Sequence, residues 1–244
     1  MKKLVWLLAA ALLCLASCAA AEEGRLIFTC GDYEYAVLPD GSAEIVWYTG
    51  MEKELEIPAA LEGHPVTVIG YRAFFEYNNL TGVTIPDSVA FISHFAFYGC
   101  RRLREISIPG SVVSIGNKAF SQCERLTAVS VSTGVTAIGR GAFDFCGSLA
   151  SVSLPDSVTS IGDSAFFLCS RLSDFELPAN ITEIGTDAFR QCFRLTRLTI
   201  PDSIASIGEY AFSDCPALTL VVSPGSYAER YCRKYRLNYT YPGD

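Results

Sequence analysis

The chain has 244 residues, half of them hydrophobic, and carries 26 Asp and Glu against 19 Lys and Arg for a net charge of −7. That length suits one or two globular domains or one elongated repeat domain. The acidic balance argues against nucleic acid as the main partner.

Residues 1–21 read as an export signal. Lys2 and Lys3 precede a short apolar run, Leu4 to Leu15, which is too short and wrongly flanked for a membrane span. Two exits compete. Leu15-Ala16-Ser17-Cys18 resembles a bacterial lipobox, which would place a lipid on Cys18 and leave a cell-surface lipoprotein. Ala19-Ala20-Ala21 before Glu22 resembles an ordinary cleavage site, which would release the protein. Membrane contact is expected only through that lipid.

Residues 22–54 are expected to form an N-terminal cap. Tyr33, Tyr35 and Val37 alternate, Pro39-Asp40-Gly41 turns the chain, and Ile45 and Trp47 alternate back, the pattern of a hairpin.

Residues 55–222 repeat. "SIGNKAFSQCERL", from Ser114 to Leu126, returns as "AIGRGAFDFCGSL", "SIGDSAFFLCSRL", "EIGTDAFRQCFRL" and "SIGEYAFSDCPAL". Cys100, Cys123, Cys146, Cys169, Cys192 and Cys215 stand 23 residues apart, and the Ala-Phe pairs from Ala73-Phe74 to Ala211-Phe212 keep the same step. A fixed period of this size predicts a solenoid. In the copy starting at Leu103, Leu103, Ile106 and Ile108 read as a short half-buried strand, and Pro109 ends it. Val112 and Ile115 return apolar groups to the interior, and Gly116 permits a corner that a Cβ would hinder. Ala119, Phe120 and Cys123 suit a single helical turn aimed inward. The expected unit is therefore one short strand pair and one helical turn per repeat. One unit cannot bury both of its flat faces alone, so stacking is obligatory. The first step is longer: Ile57-Pro58 to Ile85-Pro86 spans 28 residues, Tyr77 stands where later copies have Cys, and "LEGHPVTVIG" carries the insertion.

Residues 223–244 are expected to form the C-terminal cap. Ser226 and Glu229 make a capping box, and Ala228, Tyr231, Cys232 and Tyr235 share one face of a short helix. Leu237, Tyr239 and Tyr241 alternate as a last strand.

The repeated "IPDSVTSIGDSAFFLCSRL" pattern resembles the BspA-like leucine-rich repeats of bacterial surface proteins. The resemblance covers nearly all of the chain beyond the signal. It implies a β-rich leucine-rich repeat stack and a non-catalytic role in adhesion, by contact with host or neighbouring-cell macromolecules. The alternative is a glycan-binding or scaffolding module of the envelope. The expected partner is thus an extracellular protein or glycan.

Catalytic motifs are missing. The two histidines, His64 and His94, share no metal or triad spacing with Asp, Glu or Cys, so no enzyme activity, metal or cofactor is expected. The cysteine ladder points one way along the stack at about 4.8 Å per rung, slightly too wide for disulfides and in single file where zinc needs four ligands around a point. It reads as free thiols acting as small hydrophobes, with disulfide pairing and metal or redox use as alternatives. Cys30 and Cys232 lie in opposite caps, too far apart to bridge within one chain.

Three surface features are candidates for binding. Arg102, Arg125, Arg171 and Arg194 form a stripe just before the repeat Leu; the bland alternative is charged stems lying along the core edge. Thr84, Ser107, Ser130, Ser153, Glu176 and Thr199 form the outward row of a strand face, which needs no ligand but could hold glycan. Tyr71, Phe75, Phe91, His94, Phe95 and Tyr98 place aromatic rings where later repeats carry small or polar residues. Tyr71 should stack on His94, and Phe75 on Tyr98, one rung apart. Either they pack against the N-terminal cap, or they form an exposed binding patch.

Overall fold

The structure, a computed structural model, describes residues 25–243. The signal segment and Cys18 lie outside the described residues. The chain is a β-solenoid of about nine turns, closed at its C-terminal end by one helix and one strand.

The N-terminal cap begins with β1 (Phe28–Cys30), β2 (Tyr33–Val37) and β3 (Ala43–Tyr48), which pair antiparallel in that order. The expected hairpin is β2–β3. Its turn is held by Leu38 N–H donating to Ser42 O at 2.8 Å and by Asp40 Oδ1 accepting from Ser42 N–H at 3.0 Å. β1 is an addition that no alternation in the sequence announces. β3 then becomes the first rung: His64–Ile69 pairs with it in parallel, and Phe91–Ile92, Ser114–Ile115 and each later copy to Ser206–Ile207 follow in parallel. The register is the sequence period, with Ser114 opposite Ala137 and Ile115 opposite Ile138. The five-residue insertion of the first repeat is absorbed by a small antiparallel hairpin, Ala60–Leu61 against His64–Pro65, turning at Glu62 and Gly63 with φ of 48° and 88°.

The second face of the solenoid is built from Glu54–Glu56 beside Gly82–Thr84, then Glu105–Ile108, Ala128–Val131, Ser151–Ser153 and Asp174–Phe175, and finally Arg197–Thr199, Thr219–Val221 and Tyr239–Thr240. All of these pairs are parallel. Alternate residues, among them Leu55, Ile106, Val129, Val152, Phe175 and Leu198, point into the core, and the residues between them point to solvent.

The third side is tighter than the helical turn expected there. In the copy around Phe120, Ala119, Ser121 and Cys123 donate their N–H to carbonyls three residues back, at 3.2, 3.3 and 3.4 Å. Lys118, Phe120 and Gln122, alternating with them, donate to Arg140, Ala142 and Asp144 of the next rung at 2.8, 2.8 and 2.9 Å. This alternation requires a left-handed residue before Ala and another after the following residue pair, here Lys118 at φ 56° and Gln122 at φ 60°. Left-handed backbone costs an L residue roughly 1–2 kcal/mol. Arg72, Phe95, Ser164 and Asp187 adopt it at the first of these positions in their own rungs, where an N–H bond to the next rung holds it in place, and Tyr210 adopts it in the last rung.

Inside, Phe74, Phe97, Phe120, Phe143, Phe166, Phe189 and Phe212 form one column, all at most 1% exposed. Successive ring centroids are 4.9 to 5.5 Å apart with interplanar angles of 1° to 14°. Tyr48 covers the first ring at 5.5 Å, and Tyr231 meets the last edge-on at 6.3 Å. Beside it runs the cysteine column. Each thiol donates to the phenylalanine carbonyl of the preceding rung, for example Cys100 to Phe74 at 3.2 Å and Cys169 to Phe143 at 3.2 Å. All eight cysteines among the described residues are free. Gly116 confirms the reason for the corner glycine: a Cβ there would lie 2.6 Å from the backbone N of His94. The space is taken by the neighbouring rung.

The C-terminal cap is α1 (Tyr227–Tyr235). Ser226 Oγ accepts from Glu229 N–H at 3.1 Å, the expected cap, while Glu229 Oε2 reaches one residue past the cap to accept from Gly225 N–H at 2.6 Å. Its buried face is Ala228, Glu229, Tyr231 and Cys232. Two tyrosine hydroxyls then satisfy backbone N–H groups of the last rung, Tyr227 at Ile207 and Tyr231 at Ala211, each at 3.2 Å.

Candidate binding surfaces

In the first two rungs the tight turns bring two kinds of side chain to the surface: those at the first left-handed position, and those three residues after it. These are Arg72 with Phe75, and Phe95 with Tyr98. Phe75 and Tyr98 stack in parallel, centroids 4.9 Å apart at 7°. Phe95 touches Tyr98 at 5.7 Å, and Tyr71 stands edge-on to Phe95 at 5.9 Å and 83°. The Arg72 guanidinium lies over three of these rings, 4.8 Å from Phe75, 5.1 Å from Tyr71 and 5.7 Å from Phe95. A cation held over aromatic faces is attracted to each of them. The result is one patch of Tyr71, Arg72, Phe75, Phe95 and Tyr98, with Tyr71 41% exposed. None of the described ring contacts of its members reaches the N-terminal cap.

Two residues read as members of this cluster have other positions. Phe91 is buried at 8% exposure, in the sheet between Val68 and Ser114, so it offers little surface. His94 does not stack on Tyr71. Its Nδ1 accepts the backbone N–H of Asn117 at 2.7 Å, and burial pulls its pKa below the ordinary value, which keeps the ring neutral and able to accept. Asn117 Oδ1 does the same for Arg140 N–H, and Asp163 Oδ1 for Thr186 N–H, both at 2.9 Å. His94 therefore caps the next rung, and this leaves Tyr71 to pack on Phe95. Arg72 escaped the sequence reading. Its only signal was its place in the same column as Phe95 and Lys118, which becomes informative once that column is known to point outward.

Arg102, Arg125, Arg171 and Arg194 are all exposed, and none forms an ion pair among the described residues. The structure leaves them as a separate edge feature and brings none of them into a described contact with the aromatic patch.

The second sheet face carries a groove of about 910 Å³. Its lining includes Thr84, Ser107, Ser130, Ser153 and Glu176 from the expected row, joined by Glu54, Glu56, Glu105, Ala128, Ser151 and Asp174. The row, Glu176 included, was legible in the sequence; Glu54, Glu56, Glu105 and Asp174 were not grouped with it, because they come from rungs far apart in the chain. No group of three or more His, Cys, Asp or Glu among the described residues could hold a metal ion. No helix among them is long and apolar enough to cross a membrane.

Fold and surface together define a class: a stacked-repeat protein whose invariant residues build the core and whose variable residues are presented on exposed faces. Residues 53–166 and 136–232 match the family description "BspA type Leucine rich repeat region", in six copies. The chain belongs to the BspA-type leucine-rich repeat family. It is similar to a solved leucine rich cell surface protein from Faecalibacterium prausnitzii A2-165, at 30% identity and a TM-score of 0.56, over 83% of this chain and 77% of that one. It shares its fold with the pneumococcal vaccine antigen PcpA, at 20% identity and a TM-score of 0.50, over 81% of this chain and 70% of that one. No curated protein matches. Membership in this family goes with a protein-binding role at the cell surface, and the family is generally non-enzymatic.

Proposed function

We propose that this protein is an exported, non-catalytic adhesin that holds a host or neighbouring-cell macromolecule through the patch of Tyr71, Arg72, Phe75, Phe95 and Tyr98. The observation that carries the reading is the Arg72 guanidinium lying over three rings at the surface. Large aromatic and arginine side chains are the usual anchors of interfaces, and the equivalent positions of the next rung are Lys118 and Ser121, which offer less contact area. The similarity to a leucine rich cell surface protein supports the placement at the cell surface. Export ends with lipid on Cys18, whose diacyl anchor holds stably where one chain alone would not.

The test is binding of the purified mature protein to host matrix proteins and to a glycan array. Phe95→Ala combined with Tyr98→Ala should weaken retention of the bound ligand more than about tenfold with the melting temperature nearly unchanged. If that pair unfolds the protein, the patch is packing and the arginine stripe becomes the better candidate. Binding confined to glycans would favour the envelope or glycan-binding role. For the anchor, Cys18→Ser should move the protein from the membrane fraction to the medium. Wild-type protein already free in the medium with Glu22 at its N-terminus would overturn the lipid assignment.

A further inference from the structure

The groove on the second sheet face has its own chemistry, independent of the aromatic patch. Its floor is small and hydroxylated: Ser107, Ala128, Ser130, Ser151 and Ser153. The hydroxyls of Ser107, Ser130 and Ser153 are exposed and have no hydrogen-bond partner among the described residues. Carboxylates stand at both ends. Glu54, Glu56 and Glu105 mark one end, Asp174 and Glu176 the other, and all five are exposed. None of the ion pairs among the described residues uses any of them. Glu54 accepts a hydrogen bond from Thr81, which orients it without neutralising it. The next residue in the Asp174 column, Arg197, is exposed, is not part of the groove's lining and makes no ion pair with Asp174. Uncompensated like charges facing a shared groove repel one another, and a cationic occupant would remove that repulsion.

The spacing narrows what the occupant can be. Glu105, Ala128, Ser151 and Asp174 are register partners on successive rungs. Three rung steps of about 4.8 Å place the two acidic ends roughly 14 Å apart. An extended peptide advances about 3.4 Å per residue and alternates its side chains, so positions i and i+4 face the same way at nearly that distance. The residues between would lie over serine and alanine, where there is room for a backbone and hydroxyls to hydrogen-bond it.

We propose that this groove binds an extended basic segment of a partner protein, lying along the solenoid axis with Lys or Arg at i and i+4 paired to Glu105 and Asp174. The probe is a fluorescently labelled peptide containing Lys-Thr-Val-Thr-Lys, titrated against the mature chain by anisotropy. Controls carry Gln for both lysines, or the two lysines at i and i+3. The i+4 peptide should bind saturably, at least about tenfold tighter than either control, and weaken as salt rises. Glu105→Gln with Asp174→Asn should reduce that affinity by at least about tenfold and flatten the salt dependence. Phe95→Ala with Tyr98→Ala should leave peptide binding unchanged, which separates this site from the proposed adhesive patch. Equal binding of the i+4 and Gln peptides would overturn the proposal. So would retention of full affinity by the Glu105 and Asp174 variant with an unchanged melting temperature, or displacement of the peptide by a neutral oligosaccharide that binds that variant equally well.

Discussion

The thiol of Cys146 donates to the carbonyl oxygen of Phe120, one rung earlier, at 3.2 Å. The same carbonyl already accepts the N–H of Cys123 at 3.4 Å, so cysteine uses the acceptor's second lone pair. This explains why a small thiol recurs where alanine would fit: it fills the space and ties two rungs together. Burial pushes the thiols up, Cys100 to about 12 and Cys215 to about 11, with Cys123, Cys169 and Cys192 well above the usual range. They are therefore poor nucleophiles in the folded state. Cys146→Ala should destabilise the protein by about 2 kcal/mol in urea unfolding, through a small cavity and a lost weak hydrogen bond, with ligand binding unchanged. Mass spectrometry of unreduced protein should find the ladder thiols free, and their reaction with a thiol reagent should follow global unfolding. Disulfides between rungs would contradict this account.

The corner glycines should be the least replaceable surface-proximal positions. A Cβ on Gly162 would lie 2.8 Å from the backbone N of Arg140, and one on Gly139 would lie 2.6 Å from the carbonyl oxygen of Ile115. Backbone within a hydrogen-bonded stack cannot yield as a flexible side chain can. Gly162→Ala should cost about 2–3 kcal/mol, at the upper end of overpacking effects, measured by chemical denaturation. Asp163→Ala, one residue on and exposed, removes the acceptor for Thr186 N–H and should cost about 1 kcal/mol.

His94 should make the first rungs sensitive to acid. Its folded-state pKa is lowered from the ordinary 6.5 by burial, and Nδ1 can accept from Asn117 only while that nitrogen is unprotonated. A lowered pKa means the folded state binds the proton less well than the unfolded chain. The stabilisation is thus full above about 6.5 and is lost as pH falls through the lowered value. The melting temperature of wild-type protein should fall between pH 7 and pH 5 by more than that of His94→Asn. Asn is the residue that performs the same capping at Asn117, and it does not titrate. Equal pH dependence in the two proteins would remove His94 from this role.

At the other end, Tyr231 closes the stack with both ends of its hydroxyl. It accepts from Ala211 N–H at 3.2 Å and donates to Gly208 O at 2.9 Å. Tyr231→Phe keeps the ring against Phe212 but leaves the Ala211 N–H only its 3.4 Å bond to Gly208 O, which should cost about 1 kcal/mol. Hydrogen exchange should show the loss first in the last rung, around Ala211 and Phe212, before it reaches rungs further from the cap.

The 23-residue step of Ala, Phe, Cys and Leu was sufficient by itself to establish a solenoid, because only stacking at that period puts Phe97 over Phe74 and Phe120 over Phe97 and buries both faces of every unit. The cap hairpin and the capped helix were legible for a local reason: Pro39-Asp40-Gly41 and Ser226 with Glu229 act within a few residues of themselves. Tertiary structure alone decided the surfaces. Phe91, Phe95 and His94 look alike in a sequence, as ring-bearing residues at variable positions. One is buried in a sheet, one is held left-handed and half-buried in the aromatic patch, and one is turned along the stack to the backbone N–H of the next rung. Which of these occurs depends on the neighbour a full rung away, not on the neighbours in the chain. The acidic groove has the same origin. Glu54 and Asp174 are 120 residues apart in sequence, and only the stacking of strands brings them to the two ends of one polar floor. Periodicity identifies which positions are inside; it carries no information on which outside positions share a surface, because those contacts run across the repeat.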